Sequence, residues 1–300
     1  MDTITNTIKE VAASIHTRAM LVSLRLSAWT ARKYDKRISN EVNSAHGATS
    51  DAGRFNKMLL PGDCASYKAL MQLVGSIRTE HYQNSLSWSD EGWRLLPTAN
   101  YQQYAAFTRK KRAEFETLLE EFLSEYPHLR EQAKVRLNGM YKDEDYPTVS
   151  QIRSKFGFYL DYSPLPAQGD FRVDLPSDEV ARIEQSVTDR LSKATDEAMR
   201  DCWKRLADCV KHIHEKTVNP DSIFRDSLIY NARELCDMLS RLNVTGNTDL
   251  EGFRAEVESY LVANEPDTLR ENDTVRDDTA TLAEDIMARM SAFYTPEVGI

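Results

Sequence analysis

Ten residues between Val180 and Ile213 recur at intervals of three and four: Val180, Ile183, Val187, Leu191, Ala194, Ala198, Cys202, Leu206, Cys209 and Ile213. An α-helix returns side chains to one face at that spacing; a strand does not. No Gly or Pro interrupts Ser177 to Val218. One helix over that stretch spans roughly 60 Å at ~1.5 Å per residue, more than the ~30–40 Å extent of a small domain. Its apolar stripe needs a long matching surface, from this chain or from a second copy. The fold must therefore be rich in helix.

A second long pattern precedes it. Pro97 opens a stretch whose face is marked by Tyr101, Tyr104, Thr108, Phe115, Leu118, Leu119, Phe122 and Tyr126. Pro127 lacks the N–H that an interior turn uses, which predicts a break or kink there and a restart over 128–137. Paired antiparallel, the two arms would hold the intervening residues at their tip. Those residues, Tyr146 to Pro176, include four of the ten prolines. Phe156, Phe158 and Leu160 alternate with Gly157, Tyr159 and Asp161, and Phe171, Val173 and Leu175 alternate with Arg172 and Asp174. Period-two alternation bounded by Pro and Gly is the strand signal, and no other part of the chain reads as sheet.

The rest reads as helix and loop. Residues 3–43 contain no Gly or Pro, and Ile4, Ile8, Val11, Ile15, Ala19, Val22, Leu26 and Trp29 predict one amphipathic helix. Ile8, Ile15, Val22 and Trp29 are spaced by sevens, so a coiled-coil seam competes with a core-facing bundle helix, and the bundle is favoured. Tyr67 to His81 is helical, and Ser85 to Pro97 is irregular. Trp88 and Trp93 in that irregular stretch pin it to a core; the sharper reading is a stacking platform. Helices follow over 224–243 and from Thr248, where Thr248 and Glu251 form a capping-box pattern. Pro266 to Asp278 is polar and acidic and reads as a mobile linker. Leu282, Ile286, Met290 and Phe293 then mark a short amphipathic docking helix. The fold class is mainly α: long helical arms or a bundle with a small β-hairpin element near residues 155–175. The regions are 1–97, 98–218, 219–264 and 265–300.

Composition excludes several classes. No apolar run reaches the ~18–20 residues of a membrane span, and Met-Asp-Thr-Ile-Thr-Asn lacks the basic start and apolar core of a secretory signal. Four cysteines in 300 residues form no disulfide framework, so a reducing, cytoplasmic setting is expected. Cys209, His212 and His214 are close in sequence, but residues two apart on a helix point to opposite sides, which argues against a shared metal. No Gly-x-Ser-x-Gly, phosphate loop or triad frame is present, and the acidic pairs read as solvated charge. No catalytic residue, cofactor or metal is expected. Residues 1–176 carry 23 Lys and Arg against 21 Asp and Glu, and residues 177–300 carry 15 against 26. That acidic half disfavours a general polyanion binder and suits a basic partner surface.

Basic clusters supply the competing reading. Arg109-Lys110-Lys111-Arg112 spans every side of a helix, so one member must turn inward or snorkel. Arg32 and Lys33 open a basic turn with Lys36 and Arg37. Arg54 and Lys57 could take a phosphate or pair with the acidic half.

Several dispersed motifs point to a family. They are 24–33 (Leu-Arg-Leu-Ser-Ala-Trp-Thr-Ala-Arg-Lys), 51–57 (Asp-Ala-Gly-Arg-Phe-Asn-Lys) and 88–97 (Trp-Ser-Asp-Glu-Gly-Trp-Arg-Leu-Leu-Pro). Asp145-Tyr146-Pro147, Lys155-Phe156-Gly157-Phe158, Pro164-Leu165-Pro166 and Gly169-Asp170-Phe171-Arg172-Val173 follow. Over roughly residues 20–260 the chain resembles a family from tailed phages and proteobacteria, the domain of unknown function 3150. The resemblance implies a phage or prophage origin and host cytoplasm, with a MoxR-type AAA+ ATPase and a von Willebrand A protein encoded nearby. It brings no catalytic residues.

The favoured function is a non-enzymatic helical interaction or assembly protein, a homo-oligomer, with an AAA+ ATPase as a partner. The alternative is a nucleic-acid-associated protein. It would act through Arg32, Lys33, Arg109 to Arg112 and the tip aromatics; the candidate interaction residues under either reading are Arg32, Lys33, Arg54, Lys57, Trp88, Trp93, Arg109, Lys110, Lys111, Arg112, Phe158 and Arg172.

Overall fold

The computed structural model describes residues 15–88, 92–167, 176–219 and 225–294. In chain order these form β1 (Ala19–Ser27), β2 (Arg32–Tyr34), α1 (Lys36–Ala45), β3 (Asn56–Met58), α2 (Ala65–Gln83), β4 (Leu86–Ser87) and β5 (Trp93–Pro97). Next come α3 (Tyr101–Leu137), α4 (Val149–Arg153), β6 (Gly157–Ser163), α5 (Ser177–Val218), α6 (Asp226–Leu242), α7 (Thr248–Glu256), α8 (Pro266–Glu271) and α9 (Asp273–Met290). The fold is mainly α, with long helices and two small sheets. One sheet has strand order β4-β5-β1-β6; β2 and β3 form the other.

The chain divides into two compact units. Unit 1 comprises Met1–Ser23, His81–Ala105 and Asp161–Ile300; unit 2 comprises Leu24–Glu80 and Ala106–Leu160. The boundaries fall inside β1, α2, α3 and β6 rather than at 97, 218 and 264. Each unit has its own core.

In unit 1 the stripe of α5 is covered by α9 and α6. Leu191, Ala194, Ala198, Cys202, Leu206, Val210 and Ile213 of α5 are buried together with Ile229, Cys236 and Leu239 of α6 and Ala283, Ile286 and Met290 of α9. Trp203 meets Phe253 edge-on, with ring centroids 5.8 Å apart. The expected linker over 266–278 is therefore α8 and the start of α9. Pro266 begins α8, where its missing N–H costs nothing. Asn272 caps α9 by accepting from Val275 N–H at 3.2 Å. Leu269 is buried in the core and Val275 packs on it, which a count of polar residues does not register. The α7 cap also sits one residue earlier than expected: Asn247 accepts from Leu250 N–H at 2.8 Å.

In unit 2 an aromatic cluster fills the core. Trp29 meets Tyr126 edge-on at 5.9 Å, and Phe122 meets Tyr126 and Phe156 at 6.1 and 6.0 Å. Edge-to-face contacts are the favoured aromatic geometry. Tyrosine hydroxyls that reach this core find carbonyl oxygens: Tyr126 donates to Pro147, Tyr146 to Leu59 and Tyr67 to Trp29. The helix α3 continues through Pro127 without ending. Tyr126, Leu129 and Ala133, on both sides of the proline, are buried in one core, and that packing outweighs the lost backbone hydrogen bond.

Three further expectations change. The helix foreseen over 3–43 is, from Ala19 onward, strand β1, strand β2 and helix α1; residues 15–18 are helical and 1–14 lie outside the described residues. The heptad positions Val22 and Trp29 therefore form no coiled-coil seam. Val22, Leu24 and Leu26 alternate with Ser23, Arg25 and Ser27, a period-two signal inside a stripe that also fits three-and-four spacing. Strand is not confined to 155–175: β1 pairs antiparallel with β5, from Ala19 opposite Pro97 to Ser23 opposite Trp93. Leu86 and Ser87 extend that sheet, so 85–97 is not irregular throughout. Of the foreseen hairpin only the first strand is described, as β6, on the far side of β1; Phe171 to Leu175 lie outside the described residues.

Two arginines finish α2 in unit 1. Arg205 donates to the carbonyls of Tyr82 and Ser85 at 3.0 and 3.2 Å and pairs with Asp201 at 2.7 Å. Arg94 donates to Ser85 Oγ at 2.7 Å and to Ser85 O at 2.9 Å. Cations at a helix C-terminus satisfy orphan carbonyls and meet the negative end of the dipole. Beneath them His81 Nδ1 and Tyr104 Oη share a buried hydrogen bond of 2.8 Å. Burial, and then the Arg94 charge, hold the His81 pKa down at about 4. The native state thus keeps His81 neutral while the unfolded chain takes up a proton near 6.5. Stability from this site is full above pH 6.5 and falls as pH drops toward 4, by roughly 3 kcal/mol in all. Urea titrations across that window should show a shallower pH slope for His81→Gln than for wild type, by about one proton. Equal slopes would mean that His81 titrates normally.

Candidate interaction surface

Strands β2 and β3 form an antiparallel ribbon in unit 2, with Arg32 opposite Met58, Lys33 opposite Lys57 and Tyr34 opposite Asn56. Cross-strand partners share a face and successive residues alternate. Arg32, Met58, Tyr34 and Asn56 thus line one face, and Lys33 and Lys57 the other. All six are exposed except Lys57. Ala31 leads into β2 with φ of 52°, the left-handed region that a residue with a Cβ seldom takes. Its methyl is buried and its carbonyl accepts from Leu59 N–H at 2.8 Å.

The loop between α1 and β3 is tied down from below. Asn43 Nδ2 donates to the carbonyls of Ser50 and Gly53 at 3.1 and 3.2 Å. A Cβ at Gly53 would stand 2.8 Å from Asn43 Oδ1, so the loop closes this tightly only over glycine. Phe55 N–H donates to Ser39 Oγ at 2.9 Å, and Phe55 O accepts from Asp35 N–H at 3.0 Å. Arg54, between these anchors, lies over the Tyr34 ring, 5.8 Å from its centroid.

Lys57 holds the ribbon to the unit. Its ammonium donates to Met140 O at 2.9 Å and lies 2.6 Å from Asp145 and 3.3 Å from Asp35. The lysine side chain is 2% exposed, and the two carboxylates 5% and 6%. Burial alone would lower the lysine pKa, but the hydrogen bonds to Asp145 and Asp35 outweigh it and hold it above its ordinary value. Asp35 also caps α1, accepting from Ile38 N–H at 3.2 Å. That backbone bond, working against burial and helped by Lys57, holds its carboxyl below the usual range.

The residues singled out from sequence meet different fates. Arg32, Lys33 and Arg54 come together on and beside the ribbon and are exposed. With Lys36 they have no carboxylate within ion-pair distance among the described residues, whereas Arg37 pairs with Glu41 at 2.6 Å. Lys57 is not a surface residue; its ammonium is spent inside unit 2. Trp88 is buried in the core of unit 1 and Trp93 packs against it, so neither offers a free stacking face. Phe158 is buried in unit 2, edge-on to Phe115 at 6.1 Å, and is not a tip aromatic. Arg109 and Lys110 are exposed. Lys111 lies 3.4 Å from Glu114 and 3.6 Å from Glu80, and Arg112 stacks over Phe158 at 4.8 Å. The four-residue run is therefore half spent on its own unit. Arg172 lies outside the described residues.

Sequence reasoning missed the exposed apolar residues beside these cations: Tyr34, Phe55 and Met58. It also missed how charge follows the fold. Unit 2 carries 19 Lys and Arg against 14 Asp and Glu, a balance of +5; unit 1 carries 19 against 33, a balance of −14. Among the described residues no three His, Cys, Asp or Glu side chains gather as a metal would need. Nor is any helix there long and apolar enough to cross a membrane. Comparison with family models, curated proteins and solved structures finds no match.

Removing the buried cation should be costly. Lys57→Met leaves Asp35 and Asp145 buried without their counter-charge, a loss of about 3–5 kcal/mol. Urea unfolding followed by tryptophan fluorescence measures it, and the double variant Lys57→Met/Asp145→Asn should recover part of the loss. The pH signs are opposite for the two partners. The Lys57 contribution is whole below 10.5 and is lost as pH rises through its raised folded value. The Asp35 contribution is whole above 3.8 and is lost as pH falls through its lowered one.

Proposed function

We propose that this chain is a non-enzymatic interaction protein that assembles with partners through two units of opposite charge. The observation that carries the reading is the charge division: the acidic excess belongs to unit 1, while unit 2 is basic and presents a cationic ribbon. Such a division gives each unit its own class of partner and steers encounter over about a Debye length. It also supports self-association, since the acidic unit of one copy can meet the basic unit of another. The resemblance noted above makes a MoxR-type AAA+ ATPase the protein partner to test, in a phage-infected or lysogenic host.

Sedimentation velocity tests the reading. At low salt, species heavier than the 34.3 kDa monomer are expected, returning to monomer as salt rises. Mixing with the ATPase should give a salt-sensitive heavier boundary. A single monomer boundary at every salt concentration, with or without the ATPase, would overturn the assembly reading.

A further inference from the structure

The cations of unit 2 are unevenly used. Lys57 is buried among carboxylates, Lys111 and Arg37 are paired with glutamates, and Arg112 rests on Phe158. Those left without an acidic partner among the described residues include Arg32, Lys33, Lys36 and Arg54, all on or beside the ribbon. Exposed rings stand among them: Tyr34 is 43% exposed and Phe55 36%. Both rings sit on anchored backbone. Tyr34 is paired with Asn56 in the ribbon, and Phe55 is held by Ser39 and Asp35. Arg54 over Tyr34 keeps a guanidinium beside a ring, a pairing that can grip a phosphate while a base stacks next to it.

We infer that the β2–β3 ribbon binds single-stranded nucleic acid: Arg32 and Arg54, beside Tyr34, take the phosphates, the exposed Lys33 and Lys36 add to the local positive potential, and Tyr34 and Phe55 stack bases. The inference deepens the proposed function by naming the ligand class of unit 2, and rests on the reading of that unit as a binding body. Charge complementarity selects a polyanion, since a ribbon of unopposed cations attracts phosphates without the desolvation cost of breaking existing ion pairs. The exposed rings select single strands over duplex, because a paired base offers no free π-face. No base-edge reader stands out, so the expected binding is tolerant of sequence.

The lysines and arginines involved are exposed and carry no ion pair among the described residues, so replacing them should leave the fold intact. Fluorescence anisotropy with labelled oligothymidylate, the matching oligouridylate and a duplex of the same length decides the matter. Log affinity for the single strands should fall linearly with log salt, with a slope of about −2 to −3 if three or four phosphates are neutralised. Arg32→Ala/Lys33→Ala should make that slope shallower by about one and weaken binding at least tenfold at low salt. Tyr34→Ala should weaken binding about fivefold or more with the slope kept. Arg109→Ala/Lys110→Ala removes the same charge from an exposed part of α3 and should change affinity less than twofold. Duplex should bind at least tenfold more weakly than single strand. Absence of binding at low salt, equal loss in the α3 variant, an unchanged Arg32→Ala/Lys33→Ala variant, or preference for duplex would each overturn the inference. Sedimentation with protein partners is read separately, so failure here and failure of the assembly reading are told apart.

Discussion

One buried ammonium ties together the strands, helix and turn of unit 2. Lys57 sits between Asp35, which follows β2 and starts α1, and Asp145, which lies in the turn after α3, and it also bonds the carbonyl of Met140. Three stretches of the chain, around 35, 57 and 140–145, thus meet on one side chain. Taking three charges out of water is expensive, and the cluster persists because each carboxylate faces the cation and Asp35 also accepts a helix N-terminal N–H. Its consequence is geometric. Lys57 is the inward residue of β3, so fixing it turns Arg32, Tyr34, Asn56 and Met58 outward on the opposite face of the ribbon.

Unit 1 is organised differently. Its core comes from helices laid along α5, and many of its charged side chains form surface pairs within one helix, such as Lys204 with Asp208 and Arg289 with Asp285. Exposed pairs of that kind contribute little to stability. Burial also shifts several ionisable groups there. Cys202 and Cys209 are pushed up to about 12 and Cys236 to about 11, and His81 is held neutral. Unit 1 joins apolar packing to the buried His81–Tyr104 hydrogen bond and the arginine-capped end of α2, while unit 2 has a buried ion cluster and presents cations to solvent.

The helix α5 was legible in the sequence because its stripe is long and its period unbroken, and packing then followed the pattern. The strand β1 was not, because Ala19, Val22, Leu26 and Trp29 satisfy a three-and-four spacing while Val22 to Ser27 also alternate. In a short apolar run only tertiary context chooses between the two. The helices after Pro266 were hidden by polar composition, since Leu269 and Val275 suffice to anchor a segment once α5 and α6 supply a core for it. Of the candidate surface, Arg32, Lys33 and Arg54 were legible as members of basic clusters. The burial of Lys57 was not, because Asp35 and Asp145 become its neighbours only in the fold. Nor were the exposed rings, since Tyr34 and Phe55 look in sequence like core residues.

The division of labour between the two units is the central claim, and amide hydrogen exchange with and without oligothymidylate tests it most directly. Slowed exchange concentrated on 32–37 and 54–58, with α5, α6 and α9 unchanged, is the expected result. Slowing centred on the helices of unit 1, or none anywhere at saturating oligonucleotide, would contradict it.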